Sequence, residues 1–307
     1  MPPSRDARRA VQCRAWGSML RADMTQKLSL DRTLHAAVRR AIALAVITTL
    51  AACAPYDRGA VPVTEQGSGK DVRWLKADVK GMGALSVAVL KPEGQGPFPA
   101  VVILHGTHGF GREYVEIARS LARDGMVAVT GCWFKGGYGA GTRFITPIEC
   151  SDAPPLSAAS SDTAFLAVSA LVDAARKQPE VRADRIALFG HSRGGGAALE
   201  YFLRKGGVQA LVLNSAGYSD EIIGKAPQIT VPVLMLHGTA DSPADGGSAM
   251  TDIQRARRFA EAIQPVNKSV EVVYYRGSPH NGFFSGPKQH QEEMQRIGDF
   301  LHRHLFQ

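Results

Sequence analysis

The chain has 307 residues and a formal net charge of +8, and it is 45% hydrophobic and 21% charged. Those fractions are typical of a globular protein and exclude an intrinsically disordered chain. The N-terminal 52 residues hold nine basic and three acidic side chains, so the remaining 255 residues carry a net charge of only +2. A nearly neutral body argues against a nucleic-acid-binding surface, which needs clustered positive charge, and no nucleic acid partner is expected.

The N-terminal segment has the pattern of an export signal. An apolar run at residues 41–50 follows a pair of arginines and is far shorter than the ~20 residues of a transmembrane helix. The run closes with Leu-Ala-Ala-Cys, which resembles the bacterial lipobox and implies cleavage before Cys53 and lipidation of that cysteine. The segment is long for a signal, so Met24 is an alternative start. The other interpretation is a buried amphipathic helix with an incidental cysteine.

Three regions are therefore expected: a leader with a lipoprotein signal peptide at residues 1–52, a flexible tether at residues 53–70, and a folded domain at residues 71–307. The tether contains Pro62 and several glycines and has no hydrophobic periodicity. The lipobox resemblance implies a bacterial cell-envelope protein bound to a membrane through acyl chains on Cys53. Ala54, rather than an aspartate, follows that cysteine, which favours the periplasmic face of the outer membrane.

The folded domain contains two cysteines, Cys132 and Cys150. Two cysteines can pair in an oxidising compartment, so an exported chain favours a disulfide between them. The bridge would close a loop that is worth about 3 kcal/mol in the loop-entropy model. The alternative is two unrelated buried thiols, because spacing alone fixes no geometry.

The domain alternates between strand and helix patterns along the chain. Continuous apolar runs predict strands buried on both faces, and apolar residues at helical spacing predict helices. The predicted strands are residues 72–79, 85–90, 99–104, 126–130, 185–189, 209–213, 231–236 and 270–275, the first two forming an antiparallel pair. The predicted helices are residues 114–123, 157–177, 192–204, 250–263 and 289–305. This alternation predicts one α/β domain with a mostly parallel sheet and helices on both faces.

Residues 190–194 read Gly-His-Ser-Arg-Gly and fit G-x-S-x-G between a predicted strand and a predicted helix. That context is typical of a nucleophile elbow, in which Ser192 would sit on a tight turn. Glycine is needed on both sides because side chains at Gly190 and Gly194 would clash across the turn. The helix N-terminus that follows favours a developing negative charge. The alternative is a Gly-rich turn whose serine has no catalytic role.

A serine nucleophile needs a histidine base and a carboxylate that orients it. His280 lies in a Pro/Gly-rich loop between the last predicted strand and the last predicted helix. Asp241 follows the strand at residues 231–236, and Asp245 is the alternative. Structural or solvent-exposed roles are expected for the histidines at strand ends, in the elbow and on the last helix: His105, His237, His191, His302 and His304.

Two backbone N–H groups are expected to bind the oxyanion of an acyl-transfer reaction. One belongs to Arg193, directly after the predicted nucleophile. The other comes from the Gly-rich loop after the strand at residues 99–104, where Thr107 is the first choice and His108 the alternative. The simplest interpretation of that loop is a Gly-rich turn without such a role.

The order Ser192, Asp241, His280 is that of α/β-hydrolases. Residues 77–306 resemble this superfamily, and most of all its dienelactone-hydrolase-like branch, in the opening strand pair and in the motifs L-H-G-x-x-G, G-x-S-x-G, L-H-G-x-x-D and S-P-H-N-G-F. The resemblance implies an α/β-hydrolase fold. Dienelactone hydrolases proper use a cysteine nucleophile, and Ser192 stands in its place here. We therefore expect a serine hydrolase that cleaves a carboxylic ester of a small substrate.

The loop at residues 133–155 is expected to select the substrate, and no segment is long enough for a large lid domain. The loop carries aromatic side chains among glycines, and its Lys135 and Arg143 could bind an anionic group. A surface loop with aromatic anchors is the alternative. No cofactor and no metal are expected, because the chain has no Walker loop, no intact G-x-G-x-x-G and no H-E-x-x-H pair.

Two other functions stay open at this point. A serine peptidase related to the prolyl-oligopeptidase family shares the same catalytic order, although that family usually carries a propeller for which this chain has no room. A binding lipoprotein could keep the fold without turnover. The sequence does not decide the oligomeric state.

Overall fold

The computed structural model describes residues 69–137, 144–159 and 162–307. The predicted leader, the start at Met24, the lipidation site Cys53 and nearly all of the tether lie outside the described residues. Within the described part of the chain, no helix is both long and apolar enough to cross a membrane.

Eight strands form one sheet in the order β1-β2-β4-β3-β5-β6-β7-β8. Both partners of β2, which are β1 and β4, run antiparallel to it, and all other neighbours are parallel. The strands are β1 (Arg73–Val79), β2 (Gly83–Leu90), β3 (Phe98–Leu104), β4 (Val127–Gly131), β5 (Val181–His191), β6 (Ala210–Asn214), β7 (Val233–Gly238) and β8 (Val270–Tyr275).

Helices connect the parallel strands and cover the sheet. They are α1 (Arg112–Arg123), α2 (Asp162–Arg176), α3 (Arg193–Lys205), α4 (Asp220–Lys225), α5 (Ile253–Ile263), α6 (Gly282–Ser285) and α7 (Pro287–Leu305). Every residue of β4, β6 and β7 is buried, so both faces of the sheet are covered. This is the α/β-hydrolase architecture that the sequence predicted, because apolar strands without alternation need helices on both sides.

The predicted strands are confirmed to within a few residues at their ends, and the helices differ more. Of the helix predicted over residues 157–177, the described residues show a helix at Asp162–Arg176 and a 3₁₀ turn at Leu156–Ala158, and residues 160 and 161 lie outside the described part of the chain. The helix predicted from residue 250 begins at Ile253, because the Asp252 side chain accepts the N–H of Gln254 and caps it there. The short α6 was not predicted, since four residues are too few to show a helical period.

A disulfide ties the loop after β4 back to that strand. It joins Cys132 to Cys150, with a Cα–Cα distance of 6.0 Å. The Lys135 N–H also donates to the carbonyl of Pro154 at 2.7 Å. The loop is thereby closed at both of its ends next to the carboxyl edge of the sheet.

Candidate active site

Three loops at the carboxyl edge of the sheet bring together the residues that the sequence selected. Ser192 follows β5, Asp241 lies three residues after β7, and His280 lies in the loop after β8. These strands are parallel, so their carboxyl ends meet at the same edge. The rival carboxylate, Asp245, is exposed and accepts a hydrogen bond from the Ser242 hydroxyl instead.

The turn at Ser192 holds a strained backbone between β5 and α3. Ser192 has φ 55° and ψ −118°, outside the ordinary regions for a residue with a side chain. The Ser192 N–H donates to the Asn214 carbonyl at 2.9 Å, and the Ser192 carbonyl accepts the N–H groups of Gly195 and Gly217 at 3.1 and 3.0 Å. These bonds from two neighbouring segments keep the strained conformation in place.

The glycines of the motif are needed because backbone segments pass very close to one another. A Cβ atom on Gly190 would collide with the carbonyl of Gly194, and one on Gly194 would collide with the carbonyl of Leu104. Gly195 would meet the Cβ of Ala216 in the same way. The elbow therefore depends on glycine for space, as the sequence motif predicted for Gly190 and Gly194.

The three side chains form one hydrogen-bonded series. The Nδ1 atom of His280 lies 2.7 Å from Oδ2 of Asp241, and its Nε2 atom lies 2.9 Å from Oγ of Ser192. A carboxylate can only accept, so Nδ1 carries the proton, and Nε2 is left to accept the serine hydroxyl. All three side chains are buried.

Two further polar groups lie against Asp241. Nε2 of His237 lies 3.2 Å from Oδ2, and the Thr251 hydroxyl donates to Oδ1 at 3.2 Å. Burial raises the pKa of Asp241, but the bonds from His237 and His280 outweigh it, so the pKa lies below its usual value. The carboxylate stays ionised although the side chain is fully buried.

Sequence reasoning missed the roles of His237 and Thr251. It assigned His237 a structural place at a strand end, whereas the structure places its imidazole between Asp241 and the Thr251 carbonyl, which lies 2.8 Å from Nε2. The spacing of four residues between His237 and Asp241 across one turn was a usable signal. The sequence gives no such signal for Thr251, which approaches Asp241 from the residues just before α5.

Of the two predicted oxyanion donors, Arg193 directly follows Ser192, and Thr107 lies in a turn that comes close to it. Arg193 opens α3, where the first N–H groups have no partner within a helix. The Gly109 N–H donates to the Gly106 carbonyl at 3.0 Å, so Thr107 is central in a tight turn together with His108. A Cβ on Gly106 would lie 3.1 Å from Cβ of Ser192, which shows how closely this turn approaches the serine.

Aromatic side chains pack against the turn at residues 106–109. Trp133 and Phe134 are fully buried, and their ring centroids lie 5.5 and 4.5 Å from that of His105. The Tyr114 hydroxyl accepts the Gly106 N–H at 3.0 Å and lies 2.7 Å from Nε2 of His108. Trp133 and Phe134 therefore anchor the predicted substrate loop rather than line a surface. Of the loop's two basic residues, Lys135 is exposed and Arg143 lies outside the described residues.

Burial keeps His105 and His108 neutral. It lowers the pKa of His105 to about 3 and places that of His108 well below its usual value, the second with help from nearby His191. Among the described residues, no three His, Cys, Asp or Glu side chains lie where they could hold a metal ion.

The profile of the dienelactone hydrolase family matches residues 85–303 of the chain, which is well over half of it. The chain belongs to the dienelactone hydrolase family. Membership in this family makes it a hydrolase of the α/β-hydrolase superfamily. No curated protein matches the chain by sequence search.

Solved structures share the fold of this dienelactone hydrolase family member. A dienelactone hydrolase from Anabaena variabilis aligns over 76% of the chain and 99% of its own, with a TM-score of 0.55 and 18% identity. An esterase from Pyrococcus furiosus aligns over 80% and 98%, with a TM-score of 0.59 and 16% identity. An acylaminoacyl peptidase from Pyrococcus horikoshii aligns over 76% of the chain but only 41% of its own, with a TM-score of 0.58 and 14% identity. At these identities the likeness establishes the fold alone.

Proposed function

We propose that this hydrolase is a serine esterase that cleaves a carboxylic ester, or a related acyl bond, of a small substrate. One observation carries the proposal: the hydrogen-bonded series from the Ser192 hydroxyl through His280 to Asp241, with distances of 2.9 and 2.7 Å. Ser192 is the nucleophile, His280 the general base and Asp241 the carboxylate that orients it.

In the first half of the reaction, the Ser192 oxygen attacks the carbonyl carbon of the ester and its proton passes to Nε2 of His280. The resulting imidazolium is stabilised by Asp241, which the neighbouring His237 and His280 keep ionised. The backbone N–H groups of Arg193 and Thr107, with His108 as the alternative to Thr107, bind the oxyanion. No cofactor is part of this mechanism.

The alcohol then leaves: the C–O bond to it breaks, and His280 gives its proton to the leaving oxygen. Water then attacks the acyl group on Ser192 while His280 accepts a proton from it. Collapse of this second tetrahedral intermediate releases the carboxylic acid, and the proton returns from His280 to the serine oxygen.

The test is labelling of the purified full-length chain with a fluorophosphonate, together with turnover of short-chain nitrophenyl esters. Both are expected in the wild type and are expected to vanish in Ser192→Ala. The matched control is Ser215→Ala, because among the described residues Ser215 is the other buried serine with positive φ, and it lies at the same edge of the sheet. This control should keep both signals.

Each outcome decides between the functions that the sequence left open. Turnover of peptides with no turnover of esters would replace the esterase by a serine peptidase. A folded wild-type protein that neither labels nor turns over any substrate in the panel would contradict the serine hydrolase and favour a binding protein.

We also propose that residues 1–52 are removed as a signal and that acyl chains on Cys53 bind the protein to a bacterial envelope membrane, with residues 53–70 as the tether of the domain that follows. The order of positive charges, apolar run and small residues before the cysteine supports this. Metabolic labelling with a radioactive fatty acid should mark the wild type but not Cys53→Ser. A labelled Cys53→Ser, or an unlabelled wild type, would contradict it.

A further inference from the structure

A buried carboxyl group lies behind the elbow, outside the series just described. Glu293 of α7 is 1% exposed. Its Oε1 accepts the Gln289 side-chain amide at 2.6 Å, and its Oε2 accepts the Asn214 side-chain amide in a very short hydrogen bond. Across the described ranges, no Lys or Arg side chain forms an ion pair with it. A carboxyl group buried without a cation is costly, so its place calls for an explanation.

The hydrogen bonds of Asn214 continue from Glu293 toward the active site. The Asn214 Oδ1 atom lies 2.6 Å from Nδ1 of His191, the residue before the proposed nucleophile. Asn214 is 1% exposed and His191 is fully buried. The result is a chain of three buried side chains, Glu293, Asn214 and His191, which we call the Glu293 chain.

With Glu293 ionised, the donors and acceptors of the Glu293 chain allow one arrangement. Both oxygens of Glu293 accept amide N–H groups, so the Asn214 NH₂ must face Glu293 and its carbonyl must face His191. Nδ1 of His191 therefore carries the proton and donates it to Asn214. Burial, followed by the neighbouring His280, lowers the pKa of His191 to about 3, so the ring is neutral and its Nε2 is unprotonated.

The His191 end of the Glu293 chain lies next to the proposed catalytic groups. The ring centroids of His191 and His280 lie 5.3 Å apart, and Oδ1 of Asn281, the residue after His280, lies 3.3 Å from Nε2 of His191. An unprotonated Nε2 therefore requires the Asn281 amide to turn its NH₂ group toward the ring. The backbone carbonyl of Asn214 accepts the Ser192 N–H. The same residue thus holds the elbow by its main chain and the His191 ring by its side chain.

We infer that Glu293, Asn214 and His191 are positioning residues, which fix the His191 ring in its Nδ1–H tautomer against His280, the residue on which the imidazolium forms. The inference rests on the proposed function, because the imidazolium arises only if His280 acts as the base. It gives the buried carboxyl group a purpose: Glu293 orients the amide that selects the tautomer of His191.

Other titratable groups face the two ends of the Glu293 chain, which are Glu293 and His191. Around Glu293 they are Glu292 on the same helix and Tyr275 of β8, which carry no positive charge. Around His191 they are His108, His280 and Asp241. None of these groups can replace Asn214 as the acceptor of the His191 Nδ1–H. Loss of the hydrogen bond between Glu293 and Asn214 should therefore allow His191 to adopt the Nε2–H tautomer as well.

The test compares two substitutions of Glu293 with a control on the same helix. Glu293→Leu removes the acceptor for Asn214 and should lower kcat for nitrophenyl esters about tenfold, with KM changed less than about twofold. Glu293→Gln keeps an oxygen for Asn214 and should recover kcat to within about threefold. Glu292→Leu changes the exposed neighbour, which is paired with Arg296, and should leave kcat unchanged.

A second measurement reads the tautomer directly in the wild type. Nitrogen-15 NMR of histidine-labelled full-length protein, with His191→Gln to assign the signal, distinguishes the two ring nitrogens. His191 should stay neutral from about pH 5 to pH 9, with Nδ1–H above about pH 7, where Glu293 is ionised, and Glu293→Leu should add the Nε2–H form there. A His191 that titrates near its ordinary pKa of about 6.5, or that carries its proton on Nε2 in the wild type, would overturn the inference.

The two proposals fail in different ways. If the wild type shows neither fluorophosphonate labelling nor turnover, the proposed function fails. If the wild type is active and folded Glu293→Leu has the same kcat, the Glu293 chain is not a positioning device. If Glu293→Leu does not fold, the tautomer of His191 in the wild type decides whether the inference stands.

Discussion

Two carboxyl groups are buried beside histidines at the carboxyl edge of the sheet, and they are held in opposite ways. Asp241 contacts His280 directly at 2.7 Å, whereas Glu293 reaches His191 only through the Asn214 amide. Direct contact stabilises a positive imidazole. An amide placed between the two orients His191 and carries no charge. Burial, and not the amide, keeps His191 neutral next to a histidine that must become charged.

The same comparison shows what decides the ionisation of a buried carboxyl group. Asp241 and Glu293 are 0% and 1% exposed. Asp241 accepts from the His280 imidazole and the Thr251 hydroxyl and lies 3.2 Å from the His237 imidazole, and its pKa lies below the usual value. Glu293 accepts from two neutral amides, and burial raises its pKa to about 7. Burial is equal, so the kind and number of donors make the difference.

The largest effect is expected from Asp241→Asn. The amide can donate to His280, which would hold the histidine in the wrong tautomer, so kcat should fall by about four orders of magnitude. Stopped-assay kinetics with a nitrophenyl ester measure this. Asp245→Asn is the matched control and should keep full activity, since that side chain is exposed. Equal losses in the two variants would mean that Asp241 has no special role.

Glu293→Gln should change the pH dependence of stability. The carboxyl pKa is about 7 in the folded chain against a reference value of 4.5, so the folded state holds the proton more tightly. The contribution to stability is complete below pH 4.5 and is lost as pH rises through 7, a fall of up to about 3 kcal/mol in the free energy of unfolding.

Urea denaturation at several pH values between about 4.5 and 8 measures this fall. Glu293→Gln should lack it, and Glu292→Gln should retain it because that side chain is exposed. If wild type and Glu293→Gln lose stability in parallel over this range, Glu293 does not have a raised pKa and the contrast with Asp241 fails.

His237→Leu tests the donors that keep Asp241 ionised. Without this bond the burial penalty on Asp241 is less opposed, so its pKa should rise and the acidic limb of the kcat profile should move to higher pH. At about pH 8, kcat should fall about tenfold, the usual size for a hydrogen bond to a charged group. His237→Gln offers an N–H at similar reach and should restore most of the activity. An unchanged acidic limb in His237→Leu would show that His237 only fills space.

The smallest effect is expected from Thr251→Val, which keeps the shape of the side chain and removes the hydroxyl bonded to Oδ1 of Asp241. We expect about a threefold loss of kcat and a small shift of the acidic limb to higher pH. Thr130→Val is the control, because Thr130 donates to the Ile103 carbonyl within the sheet. If both variants match the wild type in rate and profile, the third donor to Asp241 is dispensable.

Much of the site could be predicted because its signals are local. Ser192, Asp241 and His280 each follow a strand that periodicity reveals, and parallel strands bring their carboxyl ends to one edge. The cap at Asp252 and the short α6 were missed, because capping and four-residue helices depend on details that a period does not show.

Glu293 had a signal that was not used. It lies on the apolar stripe of α7, where the other buried positions include Met294, Ile297, Phe300 and Leu301. A glutamate on such a stripe indicates a buried partner, although nothing in the sequence identifies that partner as Asn214, 79 residues earlier.

The sequence by itself determined the order of strands and helices and the strand ends that carry chemical groups, because hydrophobic periodicity and turn residues act over a few positions. Only the tertiary structure decided which carboxyl group contacts which histidine and which of them is ionised. Most of those contacts join residues far apart in the sequence, such as His280 with Asp241, 39 positions away, and Glu293 with Asn214, 79 positions away. They depend on strand order and on burial, and burial sets the electrostatic cost that each hydrogen bond must offset.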